Sequence, residues 1–272
     1  MSAPMFQNPP IVEFALGVQF SPLAMLTSGH FGLFWQEIGP EDWIYPGDAP
    51  PIQEQFESFE RPKWSITRDF GIHFQHAPPV GRFTLMHRNR DKQIQVQPTR
   101  FHLNWKKTEA FKPSYGNLIE DFEANYNRFT KFTEDYKIGP VVPNQWELTY
   151  VDSFPQGTYW ETPADWARFL PGLFSDLFST AEIGIKLEHR VAEWSFEILP
   201  QKARLHISAR PGKWGEEQAD SLILTSTARG PLKNANMHDI RVGFDIGHEK
   251  AVAAFLRLVD KKTQESWCTQ ND

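Results

Sequence analysis

The stretch Ile11–Phe20, IVEFALGVQF, decides the fold of this chain. Large apolar residues occupy every second position from Val12 to Phe20, a period of two that is typical of a strand with one buried face. Two prolines exclude a helix before this stretch, and Ser21-Pro22 ends it. A similar alternation returns from Gln145 onward. The sequence therefore predicts a β-rich protein whose first strand has a counterpart near the middle of the chain.

After the first strand, the N-terminal part predicts a short helix, four further strands and a long helix. Apolar residues on one side of the first helix, from Phe31 to Ile38, are followed by the helix-ending Gly39-Pro40. The acidic, proline-containing stretch from Glu41 to Pro62 predicts a surface loop with a short helix near Ile52–Phe59. The predicted strands are Trp64–Gln75, Arg82–Arg88, Gln93–Gln97 and Phe101–Lys106, and the long helix is Asn117–Tyr136.

The chain from Gln145 repeats this order at an offset of about 130 residues, which indicates an internal duplication into residues 1–140 and 141–272. We therefore predict an α+β fold of two tandem β-α-β4-α halves, which form a largely antiparallel sheet with the helices on one side. The remaining predicted elements are a helix at Pro163–Phe178, strands at Val191–Leu199, Ala203–Arg210, Ser221–Ala228 and Asp239–Ile246, and a closing helix at about His248–Trp267.

The amino-acid composition limits the cellular compartment and the class of partner that we expect for this protein. With 40% hydrophobic residues, 22 Phe and 10 Trp, the 272-residue chain can bury a large core of packed rings. Its single cysteine, Cys268, can form no internal disulfide, and the sequence has neither a secretory signal nor a long apolar run. We therefore expect a cytoplasmic protein that does not enter the membrane.

The formal net charge of −6 argues against a dedicated nucleic-acid binder, but the charge is unevenly distributed. Between Arg82 and Lys107 there are seven Lys or Arg residues and one acid, Asp91. Such segregation can attract an anion to one face, although most charge runs are only solvated surface. Binding of nucleic acid or an anionic ligand by this basic strip is therefore an alternative function.

Polar side chains alternate with the apolar ones on the predicted hairpins and would share the sheet face that the helices leave uncovered. Glutamine, arginine and histidine dominate there, and they offer paired donors and acceptors for a ligand or partner. Any open antiparallel face must be polar, which is the simpler interpretation. The leading hypothesis is nevertheless a non-enzymatic binding or regulatory protein that engages a protein partner through this face and the proline-rich loops. A homodimer is a further candidate assembly. The candidate residues are Gln93, Gln95, Gln97, Arg100, His102, Asn104, Arg204, His206, Arg210 and Arg241.

Catalytic motifs are absent from the sequence. It contains no Gly-x-Ser-x-Gly elbow, phosphate-binding loop or dinucleotide fingerprint. His73 and His76 would face opposite sides of a strand, so we expect no metal and no cofactor. An enzyme would need a pocket that gathers His102, His206 and an acid such as Glu193 or Asp245, which leaves catalytic activity uncertain.

Several short phrases carry a family resemblance. Together they resemble a sporadically distributed family of bacterial proteins of uncharacterised function, which implies a bacterial, soluble, single-unit protein and no known activity. Asp152 stands where such proteins typically have Asn. The predicted element order resembles the TATA-binding-protein-like fold, which implies a curved sheet with long helices on its convex side. The phrases are Asn8–Glu13, Ile94–Gln97, Arg100–Trp105, Glu147–Val151 and Phe244–Glu249, with Phe255 and Trp267 beyond them.

Overall fold

The computed structural model describes residues 6–57, 59, 81–108, 114–175, 184–200, 203–215 and 218–268. These residues include nine strands in one antiparallel sheet and five α-helices, so the predicted α+β class and antiparallel sheet are confirmed. The strands are β1 (Ile11–Phe20), β2 (Trp43–Ala49), β3 (Arg82–His87), β4 (Lys92–Gln97), β5 (Arg100–Lys106), β6 (Pro143–Pro155), β7 (Ala192–Ile198), β8 (Ala203–Trp214) and β9 (Ala219–Pro231). The helices are α1 (Ser28–Ile38), α2 (Tyr115–Asp135), α3 (Trp166–Phe169), α4 (Met237–Leu258) and α5 (Lys261–Ser266).

The two strands with matching sequence patterns lie side by side at the centre of the sheet. The strand order is β2-β3-β4-β5-β1-β6-β9-β8-β7, and β1 pairs antiparallel with β6. Phe14 lies opposite Tyr150, and Leu16 lies opposite Leu148. All four side chains project from the face that the helices cover, because alternate strand residues share a face. The centre of the sheet is therefore the floor of the hydrophobic core.

Packed rings fill the space between the sheet and the helices. Phe129 of α2 lies within 5.4 to 5.9 Å, centroid to centroid, of Phe20, Phe34 and Phe101. Phe122 of α2 meets Phe244 of α4 edge-on at 5.1 Å, so the two long helices lie next to each other on the sheet. Offset and edge-to-face contacts of this kind add to the stabilisation from burial alone. The aromatic residues counted in the sequence are thus largely core residues.

Helix α4 approaches the sheet closely because it carries glycines where it crosses β6. A Cβ atom at Gly243 would lie 2.4 Å from the Trp146 ring, and one at Gly247 would lie 2.8 Å from it. Neither position has room for a side chain. The two glycines let the indole ring fit directly beneath the helix backbone.

The strand predicted at Asp239–Ile246 is wrong, because these residues belong to α4. The Asn236 side chain accepts a hydrogen bond from the backbone N–H of Asp239 and caps the helix start. Ile240 and Phe244 are buried at a spacing of four, whereas Val242, which the strand would have buried, is 43% exposed. In the described residues the C-terminal part therefore has three strands after β6 instead of four.

Other predicted boundaries also change. In place of the helix predicted at Pro163–Phe178, residues 163–175 contain a 3-10 turn at Pro163–Asp165 and the single turn α3, and residues 176–178 lie outside the described residues. The strand β2 occupies part of the predicted loop, with an irregular register between Ile44 and Gly47. No helix forms at residues 52–57. The predicted strand Trp64–Gln75, with His73 and His76, lies outside the described residues. None of the described helices has both the length and the apolar character needed to cross a membrane.

Candidate functional site

The structure gathers most of the predicted polar residues on one sheet face, but that face is not open. Gln95, Gln97, Arg100 and His102 are each 8% exposed or less, and Arg204 across the sheet is 9% exposed. Residues 50–57, here named the covering segment, run across this face in an irregular conformation. The expectation of an uncovered face is therefore wrong. Strand periodicity assigned the residues to the correct face but could not reveal that a loop of the same chain contacts it.

Glutamine side chains hold the backbone of the covering segment. Gln97 Nε2 donates to the carbonyl of Ile52 at 2.8 Å, and the Ile52 N–H donates back to Gln97 Oε1 at 2.9 Å. Gln145 Nε2 donates to the carbonyl of Gln55 at 2.7 Å. The N–H of Gln55 donates to Gln19 Oε1 at 3.2 Å. A primary amide offers both a donor and an acceptor. These side chains therefore satisfy backbone hydrogen-bonding groups of the segment much as a neighbouring strand would.

Glu57 anchors the end of the covering segment between two arginines and a histidine. Its carboxylate oxygens lie 2.9 Å from Arg204 Nε, 2.7 Å from His206 Nε2 and 3.1 Å from Arg229 Nε. The Glu57 side chain is only 3% exposed. A carboxylate buried to this extent needs compensating charge. The predicted binding residues Arg204 and His206 therefore bind the protein's own glutamate.

Arg100 and His102 are also committed to internal contacts. The Arg100 guanidinium donates to Gln19 Oε1 at 2.8 Å and to the carbonyl of Gln53 at 3.0 Å. Burial lowers the pKa of Arg100, while Glu147 at 3.4 Å counteracts the shift. Burial lowers the pKa of His102 to about 4, so its ring is neutral at neutral pH and its 4.0 Å approach to Glu147 is not an ion pair.

The remaining predicted residues do not join a common site. Gln93 accepts a hydrogen bond from Gln95, and Asn104 donates to Glu13 at 2.6 Å. Arg210 is mostly exposed and pairs with Glu193 on the edge strand β7. Placing Arg241 on the sheet was wrong, because it lies on α4 and pairs with Glu123 at 3.3 Å.

The proposed gathering of His102 and His206 with Glu193 or Asp245 is likewise not found. Glu193 pairs with Arg210, and Asp245 lies on α4 and accepts a hydrogen bond from Tyr115. The acids near the two histidines are instead Glu147 and Glu57.

Cations of the basic strip, residues 82–107, also make contacts within the chain. Arg82 donates to Gln95 at 2.8 Å, and Lys92 pairs with Asp121 at 2.5 Å. Arg88 donates to the carbonyl of Pro40 at 3.1 Å. These contacts use donors that an anionic ligand would need, so they give the nucleic-acid alternative no support.

A cavity that the sequence did not predict lies on the opposite, helix-covered face. It has a volume of about 550 Å³ and is bounded by β1, β5 and β6 on one side and by α2 and α4 on the other. Phe14 lies on the sheet side of the cavity. Its ring centroid is 4.5 Å from that of Tyr150 and 5.8 Å from that of Trp105. Six aromatic residues line this cavity: Phe6, Phe14, Trp105, Tyr115, Tyr150 and Phe255.

Asp152 is the most unusual residue in the cavity wall. It is 5% exposed, and burial alone raises the pKa of its carboxyl from 3.8 to about 7. No hydrogen bond or ion pair joins this carboxyl to any described residue. Ser226 Oγ and Trp105 Nε1, which also line the cavity, find no hydrogen-bond partner in the described part of the chain. The cavity is thus mainly apolar, and the Asp152 carboxyl in its wall is bonded to none of the described residues.

The two tyrosines in the wall have their hydroxyls occupied. Tyr115 donates to Asp245 Oδ1 at 2.9 Å, and its ring stacks on His248 with centroids 3.9 Å apart. The Tyr150 hydroxyl lies 2.5 Å from Nδ1 of His248. Burial lowers the pKa of His248 and raises the pKa of both tyrosines. Both tyrosine hydroxyls therefore stay protonated at neutral pH, and the Tyr150 hydroxyl shares a hydrogen bond with Nδ1 of His248.

A signal for this cavity was present in the sequence. Asp152 continues the alternation of Trp146, Leu148 and Tyr150, so it is a carboxylate at a core-facing strand position. His248 was predicted at the start of the closing helix. In the structure it lies in the middle of α4, where it contacts residues of both α2 and β6.

Comparisons with known proteins add little. No family model matches the chain, and no curated protein matches it. The crystal structure of DynU16, from the dynemicin biosynthetic locus, is similar at 13% identity and a TM-score of 0.26, over 65% of this chain and 74% of that chain. A TM-score this low carries no argument. The resemblances to the bacterial family and to the TATA-binding-protein-like fold therefore stay predictions.

Proposed function

We propose that this protein is a binding protein that holds a small, mainly apolar molecule in the cavity between the sheet and helices α2 and α4. The observation that carries the proposal is the size and lining of the cavity. Its volume of about 550 Å³ lies within the usual range of ligand pockets, roughly 300 to 1,000 Å³. Six aromatic side chains and a few polar groups are the lining expected of such a pocket.

The rim of the cavity, here the lining residues Phe6, Gln7 and Phe255, is held by contacts with Trp267. The backbone N–H groups of Gln7 and Asn8 donate to the carbonyl of Trp267 at 2.9 and 3.2 Å. Phe6 packs edge-on against the Trp267 ring, and Phe255 stacks on it. A rim held in this way favours a preformed pocket, which reduces the entropy lost on binding.

The test uses Nile red, a neutral apolar dye that fluoresces strongly in an apolar site. We expect saturable binding of about one dye per chain to the wild type. Val252→Phe should abolish it, because Val252 lines the cavity. Ala253→Phe is the matched control, since Ala253 is the exposed neighbour on the same helix. Equal binding by the wild type and the Val252 variant would refute the proposal.

Binding of a protein partner is a second candidate, supported by the edge strand β7 rather than by the polar face. Trp194 and Phe196 are 44% and 40% exposed there, β7 is an edge strand of the sheet that the described residues form, and an edge strand offers backbone groups to another strand. We infer a second copy of this chain as the partner, joined edge to edge. Light scattering after size exclusion should then report a dimer, and Trp194→Ser should convert it to a monomer. A monomeric wild type at micromolar concentration would exclude this candidate.

We also propose that the chain arose from two tandem units, residues 1–140 and 141–272. In support, β1 and β6 are neighbours, and each has as its other neighbour the last strand before a long helix, β5 before α2 and β9 before α4. The loss of the predicted strand Asp239–Ile246 makes the described C-terminal unit one strand shorter than expected.

A further inference from the structure

We propose that the cavity selects an organic ammonium ion, an apolar molecule that carries a protonated amine, with the carboxylate of Asp152 as its counterion. This inference rests on the proposed binding function and names the class of ligand. It follows from one buried carboxyl, the rings around it and the positions of the neighbouring charges.

Among the described residues, none compensates the charge of Asp152. On β6 it lies opposite Leu224 of β9, two residues from the pair Tyr150 and Ser226, which share its face. Burying an ionised carboxylate without a partner is costly, and the free energy of the site improves when a cation arrives. A ligand that brings its own positive charge therefore gains more from this cavity than a neutral ligand of the same shape.

The other charged residues of the cavity wall do not contact the Asp152 carboxyl. Lys107 Nζ donates to Asn8 Oδ1 at 2.8 Å and to the carbonyl of Pro9 at 3.0 Å. Glu13 accepts the hydrogen bond of Asn104 on the opposite face of the sheet. Lys106 follows Trp105 on β5, so strand alternation turns it away from the helix-covered face. None of these side chains neutralises Asp152.

The aromatic lining favours the same class of ligand. Ammonium groups are attracted to ring faces within about 6 Å, and an acid surrounded by several rings is a common means of recognising them. The hydroxyls of Tyr115 and Tyr150 are already bonded to Asp245 and His248. These two residues therefore offer the ligand their rings, and Asp152 is the acceptor.

Because an ammonium ion binds the ionised carboxylate, its affinity should rise as the pH increases through about 7. Burial lowers the pKa of His248 below its ordinary value and raises the pKa values of Tyr115, Tyr150 and Tyr159, so these neighbours shift away from the titration of Asp152. The pH profile thus reports Asp152, and Asp152→Asn should flatten it.

The test compares three probes with one carbon skeleton, phenylbutylammonium, phenylbutanol and phenylbutyrate, by calorimetry with the full-length protein at about pH 8. We expect the ammonium probe to bind most tightly and the carboxylate probe most weakly. Asp152→Asn should lower the affinity for the ammonium probe roughly tenfold to a hundredfold and leave the affinity for the alcohol within about twofold of the wild-type value. The isosteric substitution removes an unpaired charge, so the variant should fold, and retained Nile red binding checks this.

Each outcome distinguishes the two proposals. Tight binding of the alcohol or the carboxylate with no preference for the ammonium probe would overturn this inference and leave the cavity as a binding site. Equal binding of the ammonium probe by wild type and Asp152→Asn would also overturn it. Failure of Nile red and of all three probes to bind would overturn both proposals.

Discussion

Nε2 of His206 lies 2.7 Å from Oε1 of Glu57, which joins the covering segment to a strand of the C-terminal part of the chain. At its other end the same segment is bonded through Ile52 to Gln97 on β4. The segment therefore spans the sheet from β4 to β8 and passes over the central strands. The polar face that resembles a docking surface in the sequence is, in the structure, a binding site for the protein's own loop.

Glu57→Gln should destabilise the protein strongly. The substitution removes the negative charge that compensates Arg204 and Arg229 and contacts His206, and breaking a buried ion pair by removing one partner costs roughly 3 to 5 kcal/mol. Urea unfolding measures the change. Glu54→Gln is the control, because Glu54 is exposed on the same segment and should change the free energy of unfolding by less than about 0.5 kcal/mol. Equal effects of the two variants would show that Glu57 does not anchor the segment.

Gln97→Ala should release the covering segment locally. The variant loses both hydrogen bonds to Ile52, each with a net value of about 1 kcal/mol. Amide hydrogen exchange at Ile52 should then become roughly tenfold faster or more, while exchange in the central strand β1 stays unchanged. Gln93→Ala provides the comparison, since the Gln93 side chain accepts a hydrogen bond from Gln95 and contacts a different part of the sheet face. Unchanged exchange at Ile52 in the Gln97 variant would contradict this account.

Gly17→Ala should destabilise the sheet through His102. A Cβ atom at Gly17 would lie 2.2 Å from Cδ2 of the imidazole, which is buried and has little room to move. Overpacking of this kind costs roughly 1 to 3 kcal/mol. Gly116→Ala in α2 meets no atom within 4 Å and should be neutral or stabilising. Combining Gly17→Ala with His102→Ala should cost less than the sum of the single changes, and strict additivity would locate the strain elsewhere.

Prediction from the sequence was most accurate where a segment fits the periodicity of only one element, a strand or a helix. The alternation in Ile11–Phe20 and the three- and four-residue steps of Asn117–Tyr136 predict β1 and α2 to within a few residues. It failed at Asp239–Ile246, because apolar residues at 240 and 244 satisfy both a strand and a helix. Helix capping by Asn236, a local side-chain contact, resolves the ambiguity in the structure.

The candidate site could be predicted only in part, for a different reason. Alternation placed Gln97, Arg100 and Arg204 on the correct face of the sheet. The contact between that face and residues 50–57 depends on the path of an irregular loop, which no periodicity encodes. The cavity likewise depends on how α2 and α4 are spaced on the sheet, and only the core-facing Asp152 indicated it in advance.

The raised pKa of Asp152 leads to a final prediction about the stability of the protein without ligand. Its folded-state pKa of about 7 lies above the value of 3.8 that it has when unfolded. Between these values the folded state binds the extra proton, so stability falls as the pH rises from about 4 to 7 and is then level, with a total loss of about 4 kcal/mol. Asp152→Asn lacks this loss and should exceed the wild type in stability by an amount that grows over the same interval. Urea unfolding at several pH values measures the difference, with exposed Asp42→Asn as the control that should track the wild type. Parallel profiles for the wild type and Asp152→Asn would mean that burial does not raise the pKa of this carboxyl. The proposed preference of the cavity for a cation would then lose its support.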